Sequence, residues 1–329
     1  MIPHNRPSIE RRDIEAVSLT LRSAMIGEGD LTRRFERALA QRYGFQYAVA
    51  VGSGCQALLL ALRATGLVLG KRLATSTYVC PEVMSVIEAN GAQCLLADIG
   101  NNFLMDPEDI ALAGVDGVVV PAIMGIPADP AAFPNTVVKI VDWAQYAPAP
   151  GSNESAGWDA AIVSFEATKL LTSGEGGAVL TSNPDIAARL ISQKRIGESV
   201  LRLNLFPMSD FQAALVMSQL QRLDHMLTRR AEIANRYKSA SGHATVACPE
   251  RPTRYVIEVS DPVKVTGAFA EVGISARRPV EPMCHTVRPE SRSFPGAHRA
   301  WERLVSLPCH PSMSEEEIQF VAQSVGALL

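Results

Sequence analysis

With 329 residues, 47% of them hydrophobic, the chain is long enough for about two domains and apolar enough to fill a sizeable core. A formal net charge of −3 and a pI near 6.1 exclude a general electrostatic attraction to nucleic acid or to an anionic membrane. No apolar run reaches the roughly 18 residues of a membrane span, and Arg6, Glu10, Arg11, Arg12, Asp13 and Glu15 charge the first stretch, so no secretory leader is expected and the cytoplasm is the expected compartment.

Helical spacing of apolar residues runs from Ser8 to Leu21 and from Leu31 to Tyr43, with Gly27 and Gly29 breaking the two. Tyr47 to Val51 reads as a short strand, and Gly52-Ser53-Gly54-Cys55 opens a helix through Gln56 to Ala64. Glycines at a strand-to-helix turn leave backbone N–H groups pointing outward at a helix amino terminus, which is a phosphate site on physical grounds. The same stretch fits G-x-G-x-x-A, so a dinucleotide is a second reading. That reading expects a carboxylate about 20 residues further on for the ribose. None occurs between Glu36 and Glu82, although Lys71 and Arg72 leave a 2′-phosphate open.

Residues 73–80, LATSTYVC, come next, then a helix from Val83 to Ala89 with Gly91 as its stop, and strands at Cys94–Ala97 and Val115–Ile123. Two further apolar runs, Val137 to Val141 and Ala160 to Phe165, carry Asp142 and Ser164 at their ends, and Lys169 follows five residues after that serine. Short strands alternating with helices argue a doubly wound, mostly parallel sheet with helices on both faces. Ligands of such sheets collect at the carboxyl ends of the strands, which brings Asp142, Gln145, Ser164 and Lys169 to one rim. An aldehyde cofactor such as pyridoxal phosphate needs a lysine amine, a carboxylate that keeps its pyridine nitrogen protonated, and donors for its phosphate. Lys169, Asp142 and Ser164 are suited to those roles, and the Gly174-Glu175-Gly176-Gly177 turn lets the backbone bend tightly beside them.

Helices are expected at Asp185–Lys194 and, as one long element, from Asp210 to about Lys238. From residue 239 the composition shifts to loops rich in Pro, Ser and Arg around a strand at Tyr255–Val259 and a helix at Val263–Val272. This divides the chain into a large unit, 1–238, and a smaller carboxy-terminal α/β unit, 239–329. Between Arg277 and Arg303 six arginines face three glutamates, an excess that suits either a diphosphate or a solvated basic face. Cys55, Cys80, Cys94, Cys248, Cys284 and Cys309 form no C-x-x-C pair and the histidines no H-x-x-x-H, so reduced thiols and no metal are expected.

Asp142-Trp143-Ala144-Gln145, followed by Ser164-Phe165 through Lys169 to Gly174-Glu175-Gly176-Gly177, resembles the D-x-A-Q and S-F-x-x-x-K-x-L-x-x-G-E-G-G signatures of the DegT/DnrJ/EryC1/StrS family of pyridoxal-phosphate-dependent sugar aminotransferases. The likeness runs from MIPHNRP to LPCHPSMSEEEIQFV, most of the chain. It implies the fold type I transferase architecture with a seven-stranded sheet. It implies pyridoxal 5′-phosphate held by Lys169 and Asp142, with Gln145 near the phenolic oxygen and Ser164 near the phosphate. Ser53, Gly54 and Cys55 stand at the family's S-G-T phosphate turn, Cys55 replacing the threonine, and Tyr78 stands at the aromatic that stacks on the ring. Asn204 corresponds, one position early, to an asparagine that reaches the phosphate of the neighbouring subunit's cofactor, and the adjoining arginine is missing. Arg278 and His285 fall near the substrate mouth. The resemblance further implies a homodimer and an amino donor, commonly glutamate. The acceptor would be a keto sugar, often nucleotide-linked, as in lipopolysaccharide or natural-product pathways. Family dehydratases carry histidine in place of the lysine, so Lys169 argues for amino transfer. A cofactor-binding protein without turnover is the alternative.

Overall fold

The computed structural model describes the chain apart from residues 110–113, 197–202, 205, 243–244 and 247–249, and apart from the side chains of 195–196 and 203–204. Its centre is a sheet of β1 (Tyr47–Val51), β2 (Arg72–Ser76), β3 (Gln93–Ala97), β4 (Gly117–Pro121), β5 (Val138–Asp142), β6 (Ala160–Ser164) and β7 (Gly177–Thr181), in the spatial order β1-β7-β6-β5-β4-β2-β3. Neighbouring strands from β3 to β6 are parallel, while β7 runs antiparallel to both β6 and β1. The runs GVVVP, AAIVS and GAVLT are buried almost throughout because helices cover both faces. One apolar cluster joins α3 (Gly54–Ala64) and α4 (Pro81–Ala89) to the sheet, and the other joins it to α2 (Asp30–Tyr43).

The amino-terminal arm contributes α1 (Arg11–Arg22) ahead of α2. Helix α1 begins at Arg11 rather than Ser8 because Glu10 closes a capping box with Asp13. After β7 come α5 (Pro184–Lys194), the two-residue ladder of β8 (Arg195–Ile196) with β9 (Leu203–Asn204), then α6 (Asp210–Leu220) and α7 (Leu223–Ser241). The single long helix expected from Asp210 to Lys238 is therefore two helices. Periodicity continues through Gln221 and Arg222, so the pattern alone does not show the break. Tertiary bonding decides it: the buried Arg222 turns toward the arm, donating to Ser8 Oγ and Glu10 Oε1, both at 2.9 Å, and pairing with the buried Asp13. A buried cation needs such partners, and Arg222 meets them from the break between Leu220 and Leu223.

A second tie fixes the arm. Asp210 accepts N–H bonds from Gly29 at 2.8 Å, Leu31 at 3.2 Å and Thr32 at 2.9 Å, and so caps α2 from a different helix. Burial opposes the charge on Asp210, but these bonds and the Thr32 hydroxyl outweigh it and hold the carboxyl below its usual range. Asp210→Ala leaves those buried donors unsatisfied, and is expected to cost about 2–3 kcal/mol of stability. Denaturant titration of both proteins checks this. A loss within the ~0.5 kcal/mol of an ordinary surface change would show that solvent caps α2 equally well.

The carboxy-terminal part places β10 (Tyr255–Glu258) antiparallel to β11 (Leu304–Leu307), with α8 (Pro262–Glu271), α9 (Cys284–Val287), α10 (Pro295–Arg303) and α11 (Glu315–Leu328). Its core takes in Ile233, Ala234 and Tyr237 from the end of α7 together with Tyr255, Phe269 and Ile318. Met283, Cys284 and Phe294, by contrast, pack into the cluster on the α3–α4 face of the large sheet. No helix among the described residues is long and apolar enough to cross a membrane.

Candidate active site

The site forms where β1, β5 and β6 end on one rim. Register explains why the glycines are needed there: Val51 and Ser164 both pair with Gly177, so the turn after β1, the end of β6 and the start of β7 meet at one point. A Cβ on Gly177 would lie 2.4 Å from the carbonyl oxygen of Ser53, and one on Gly54 would lie 2.9 Å from Ser164 Cβ. These approaches press the amino terminus of α3 against Ser164. Ser53 caps that helix, its hydroxyl oxygen accepting from Gln56 N–H at 3.2 Å, while the first N–H groups of α3 have no partner within the helix.

Asp142 closes β5 and is buried, one oxygen accepting from Ala144 N–H at 2.8 Å. Burial raises its pKa, against the pull of that bond and of Lys169. Behind it Trp143 packs among Tyr43, Phe45 and Tyr146, which fixes the turn that carries the carboxylate. Phe165 is held against Phe35 at 5.4 Å, and its backbone bonds to Gly176 and Ser173 close the loop that contains Lys169. Lys169 is half-buried and has no ion pair among the described residues. Its amine is thus free to act as a nucleophile or proton carrier beside a buried acid.

A cavity of about 320 Å³ is lined by Ser53, Gly54, Cys55, Asp142, Ser164 and Lys169. Its other walls are Cys80, Glu82 and Val83 at the start of α4, with Ala144, Ile162, Glu166 and Glu175. The sequence reading missed Cys80 and Glu82, although they follow β2 as Ser53–Cys55 follow β1, and the rule of strand carboxyl ends applies equally to both. Burial, Asp142 and Glu82 push the Cys80 thiol up to about 12, so it is a neutral wall and not a thiolate. A larger, open groove of about 630 Å³ carries Arg34, Arg37 and Arg42 but no acid, base and nucleophile set.

Other expected site residues lie elsewhere. Tyr78 is fully buried and is absent from the cavity wall, where Cys80 and Val83 stand instead. The reason is tertiary: Cys284 N–H donates to Thr77 O at 3.1 Å and His285 Nδ1 lies 2.7 Å from Thr77 Oγ1, which draws residues 77–79 into the core. Gln145 is turned toward β4, its Oε1 accepting from Met124 N–H at 3.4 Å. His285 is taken up by Thr77, and Arg278 lies 3.5 Å over the Trp301 ring, both off the cavity wall. The backbone of Asn204 pairs with Arg195, and its side chain lies outside the described residues.

The dinucleotide reading fails on topology. It needs the strands flanking α3 to be parallel neighbours, whereas β1 is an edge strand paired only to the antiparallel β7, and β2 lies beyond β4. The residues do fit pyridoxal 5′-phosphate: an amine without an ion pair, a buried carboxylate whose charge a pyridinium would offset, and a glycine-bounded helix terminus for the phosphate.

Comparison with known proteins agrees. The DegT/DnrJ/EryC1/StrS aminotransferase family model matches residues 7–326. Spore coat polysaccharide biosynthesis protein SpsC of Bacillus subtilis (strain 168) is 30% identical over an alignment covering 98% of this chain and 96% of its own. Among solved structures, sugar aminotransferase Spr1654 from Streptococcus pneumoniae in its PMP form superposes with a TM-score of 0.88 at 21% identity, covering 100% of this chain and 99% of that one. DesI, analysed in the presence of its TDP-sugar product, gives a TM-score of 0.87 at 22% identity over 98% of this chain and 91% of that one.

Proposed function

The chain belongs to the DegT/DnrJ/EryC1/StrS aminotransferase family, and we propose that it moves an amino group from glutamate to a keto sugar carried on a nucleotide, in surface polysaccharide or natural-product sugar biosynthesis. It is a pyridoxal-phosphate-dependent aminotransferase of the sugar-modifying kind. The observation that carries the reading is the convergence of Lys169 and the buried Asp142 on one cavity with the α3 amino terminus. Pyridoxal phosphate, when bound, supplies the carbonyl that exchanges amines and the ring that accepts electrons.

The remaining work falls to side chains of this chain. Lys169 Nζ would hold the cofactor through its carbonyl and would carry the proton at the donor's α-carbon. Asp142 would keep a proton on the ring nitrogen, and its burial would make that charge pairing strong. The N–H groups of Gly54 and Cys55 and the hydroxyls of Ser53 and Ser164 bind the phosphate. Val83, Ile162 and Leu58 exclude water from the walls. DesI was analysed with a TDP-sugar, which supports a nucleotide-linked acceptor here. A homodimer is supported by the exposed apolar side chains of the arm, Ile14 at 59%, Leu19 at 66% and Met25 at 74%, which a second copy would cover.

The test is to load the protein with pyridoxal phosphate, follow its visible absorption on adding glutamate, and offer keto sugars with and without a nucleotide. Bleaching with release of 2-oxoglutarate, then recovery only with a nucleotide-linked acceptor, is the expected result. A band that no amino donor alters would instead support a cofactor-binding protein without turnover.

A further inference from the structure

We propose that residues 2–8 form a clasp on the carboxy-terminal part, which His4 and His310 hold shut while uncharged and release when acid charges them. Pro3 and Pro7 fix their own φ and bias Ile2 and Arg6 toward extended backbone, so the segment does not join the helix that follows. Ile2 N–H donates to Gly273 O at 2.7 Å and Ile2 O accepts from Ser275 N–H at 3.0 Å, a parallel pairing with Ile274. Its side chain packs against the core of the carboxy-terminal part. Arg6 then pairs with Glu317 in the first turn of α11 and donates to Ser312 O at 3.0 Å. Ser8 accepts from Arg222 at the break between α6 and α7. The segment thus ties the carboxy-terminal part to that break and to the arm.

Two buried histidines sit at its centre. His310 Nε2 lies 3.2 Å from Pro3 O, and because a carbonyl only accepts, the ring carries its proton on Nε2. Its Nδ1 is left to accept from Ser312 Oγ at 2.9 Å. Charging His310 would turn that hydroxyl to Arg6 O at 3.1 Å, so hydrogen bonding permits the charge. Burial, Arg230 of α7 and Arg6 oppose it, while the Pro3 carbonyl and Glu317, already engaged by Arg6, favour it. His4 is more strictly held. Its Nε2 lies 2.9 Å from Ser306 Oγ, and Ser306 is itself fixed in β11 by backbone bonds to Arg277 at 3.0 and 2.6 Å. His4 Nδ1 is buried with no hydrogen-bond partner among the described residues, so a charged ring would carry a buried N–H with nothing to receive it. After burial, the groups acting most on His4 are Arg254 ahead of β10, Arg277 beside β11, His310 and Arg230, and all of them oppose a charge.

Burial and these cations lower His4 to about 3 and His310 to about 4, from an ordinary value of 6.5. Folding therefore favours the neutral rings. The clasp has its full strength above pH ~6.5 and loses it as pH falls toward the folded values. An open clasp returns both rings to water, where each takes up a proton. Opening is thus linked to two protons, and its equilibrium constant should rise ~100-fold per pH unit in that window, about tenfold for each histidine. The bonds of Arg222 to Glu10 and Asp13 involve no histidine, so α1 stays in place when the clasp opens.

Native-state hydrogen exchange of the pyridoxal-phosphate-loaded protein from about pH 6.5 down to about 4.5, corrected for the intrinsic pH dependence of amide exchange, reads this opening directly. Peptides spanning 1–9 and 273–278 report the clasp, and a peptide spanning 137–142, which contains β5, reports unfolding of the sheet. The expected slope for the clasp is two protons in wild type, one in His4→Gln and in His310→Gln, and none in the double variant. The β5 peptide should lack that slope, and the exposed His225→Gln should leave the clasp as it is in wild type. Clasp opening that follows pH no more steeply than β5 overturns the proposal, because acid then acts on the whole fold. A two-proton slope that survives both substitutions also overturns it and moves the protons to other groups, Glu317 among them. If His4→Gln does not fold, His310→Gln decides alone: it must remove one proton from the slope, and an unchanged slope overturns the proposal.

Discussion

Lys169→Ala is expected to lower turnover by at least ~10⁴-fold, because one substitution removes both the group that anchors the cofactor and the group that moves the proton. The environment makes the loss hard to replace. Among the described residues Lys169 is the one cation on the cavity wall, and burial holds both thiols of that wall protonated, Cys55 shifted upward and Cys80 pushed up to about 12. The variant should still fold, since Lys169 is half-buried and has no ion pair among the described residues. It should also still take up pyridoxal phosphate through the α3 terminus, but without the absorption band of the lysine-linked cofactor. Retained turnover, or an unchanged band, would remove Lys169 from the mechanism.

Asp142→Asn should lower turnover by about 10²–10³-fold, the usual loss when a preorganised charge facing a developing charge is neutralised. Its effect on stability should have the opposite sign. Burial raises the pKa of Asp142 in the folded protein above its unfolded value, so the protonated form is favoured by folding and stability is lost as pH rises through the folded value. Cofactor-free Asp142→Asn is therefore expected to be more stable than wild type at neutral pH, with the difference vanishing in acid. Loading with pyridoxal phosphate should reverse the order, because the ring cation compensates the carboxylate only in wild type. Melting curves with and without cofactor at two pH values check all of this. A variant that is less stable than wild type without cofactor would show that Asp142 is a structural residue. Enzymes commonly hold such residues at the expense of stability, since an isolated buried charge is useful only when its partner arrives.

The two strongest site assignments were legible because they depend on local order. Strands β5 and β6 end where their apolar runs end, and an open α/β sheet presents strand ends to ligand, so Asp142, Ser164 and the turn at Ser53–Cys55 share a rim whatever the remaining loops do. The glycines at 54 and 177 were legible only as turn residues; that strand ends meeting at one register leave no room for a Cβ there was decided by the tertiary structure. The motif spacing around Lys169 carried the family, and with it the sheet and the cofactor.

Everything that depends on how distant segments grip one another was decided by tertiary structure. Periodicity ran unbroken through residue 222, yet Arg222 needed Glu10 and Asp13, which lie more than 200 positions away, and the helix bends there to reach them. Asp210, read as the first residue of a helix, turned out to cap another one. Tyr78 stood at an aromatic position of the motif, but bonds from Cys284 and His285 to Thr77 draw its segment inward and leave Cys80 and Val83 on the wall. Sequence alone thus determined which backbone ends meet at the site, because hydrophobic periodicity and chain geometry are properties of consecutive residues. Tertiary structure alone decided which side chains face it, because their direction is set by hydrogen bonds and packing from segments hundreds of residues away, to which local pattern carries no reference.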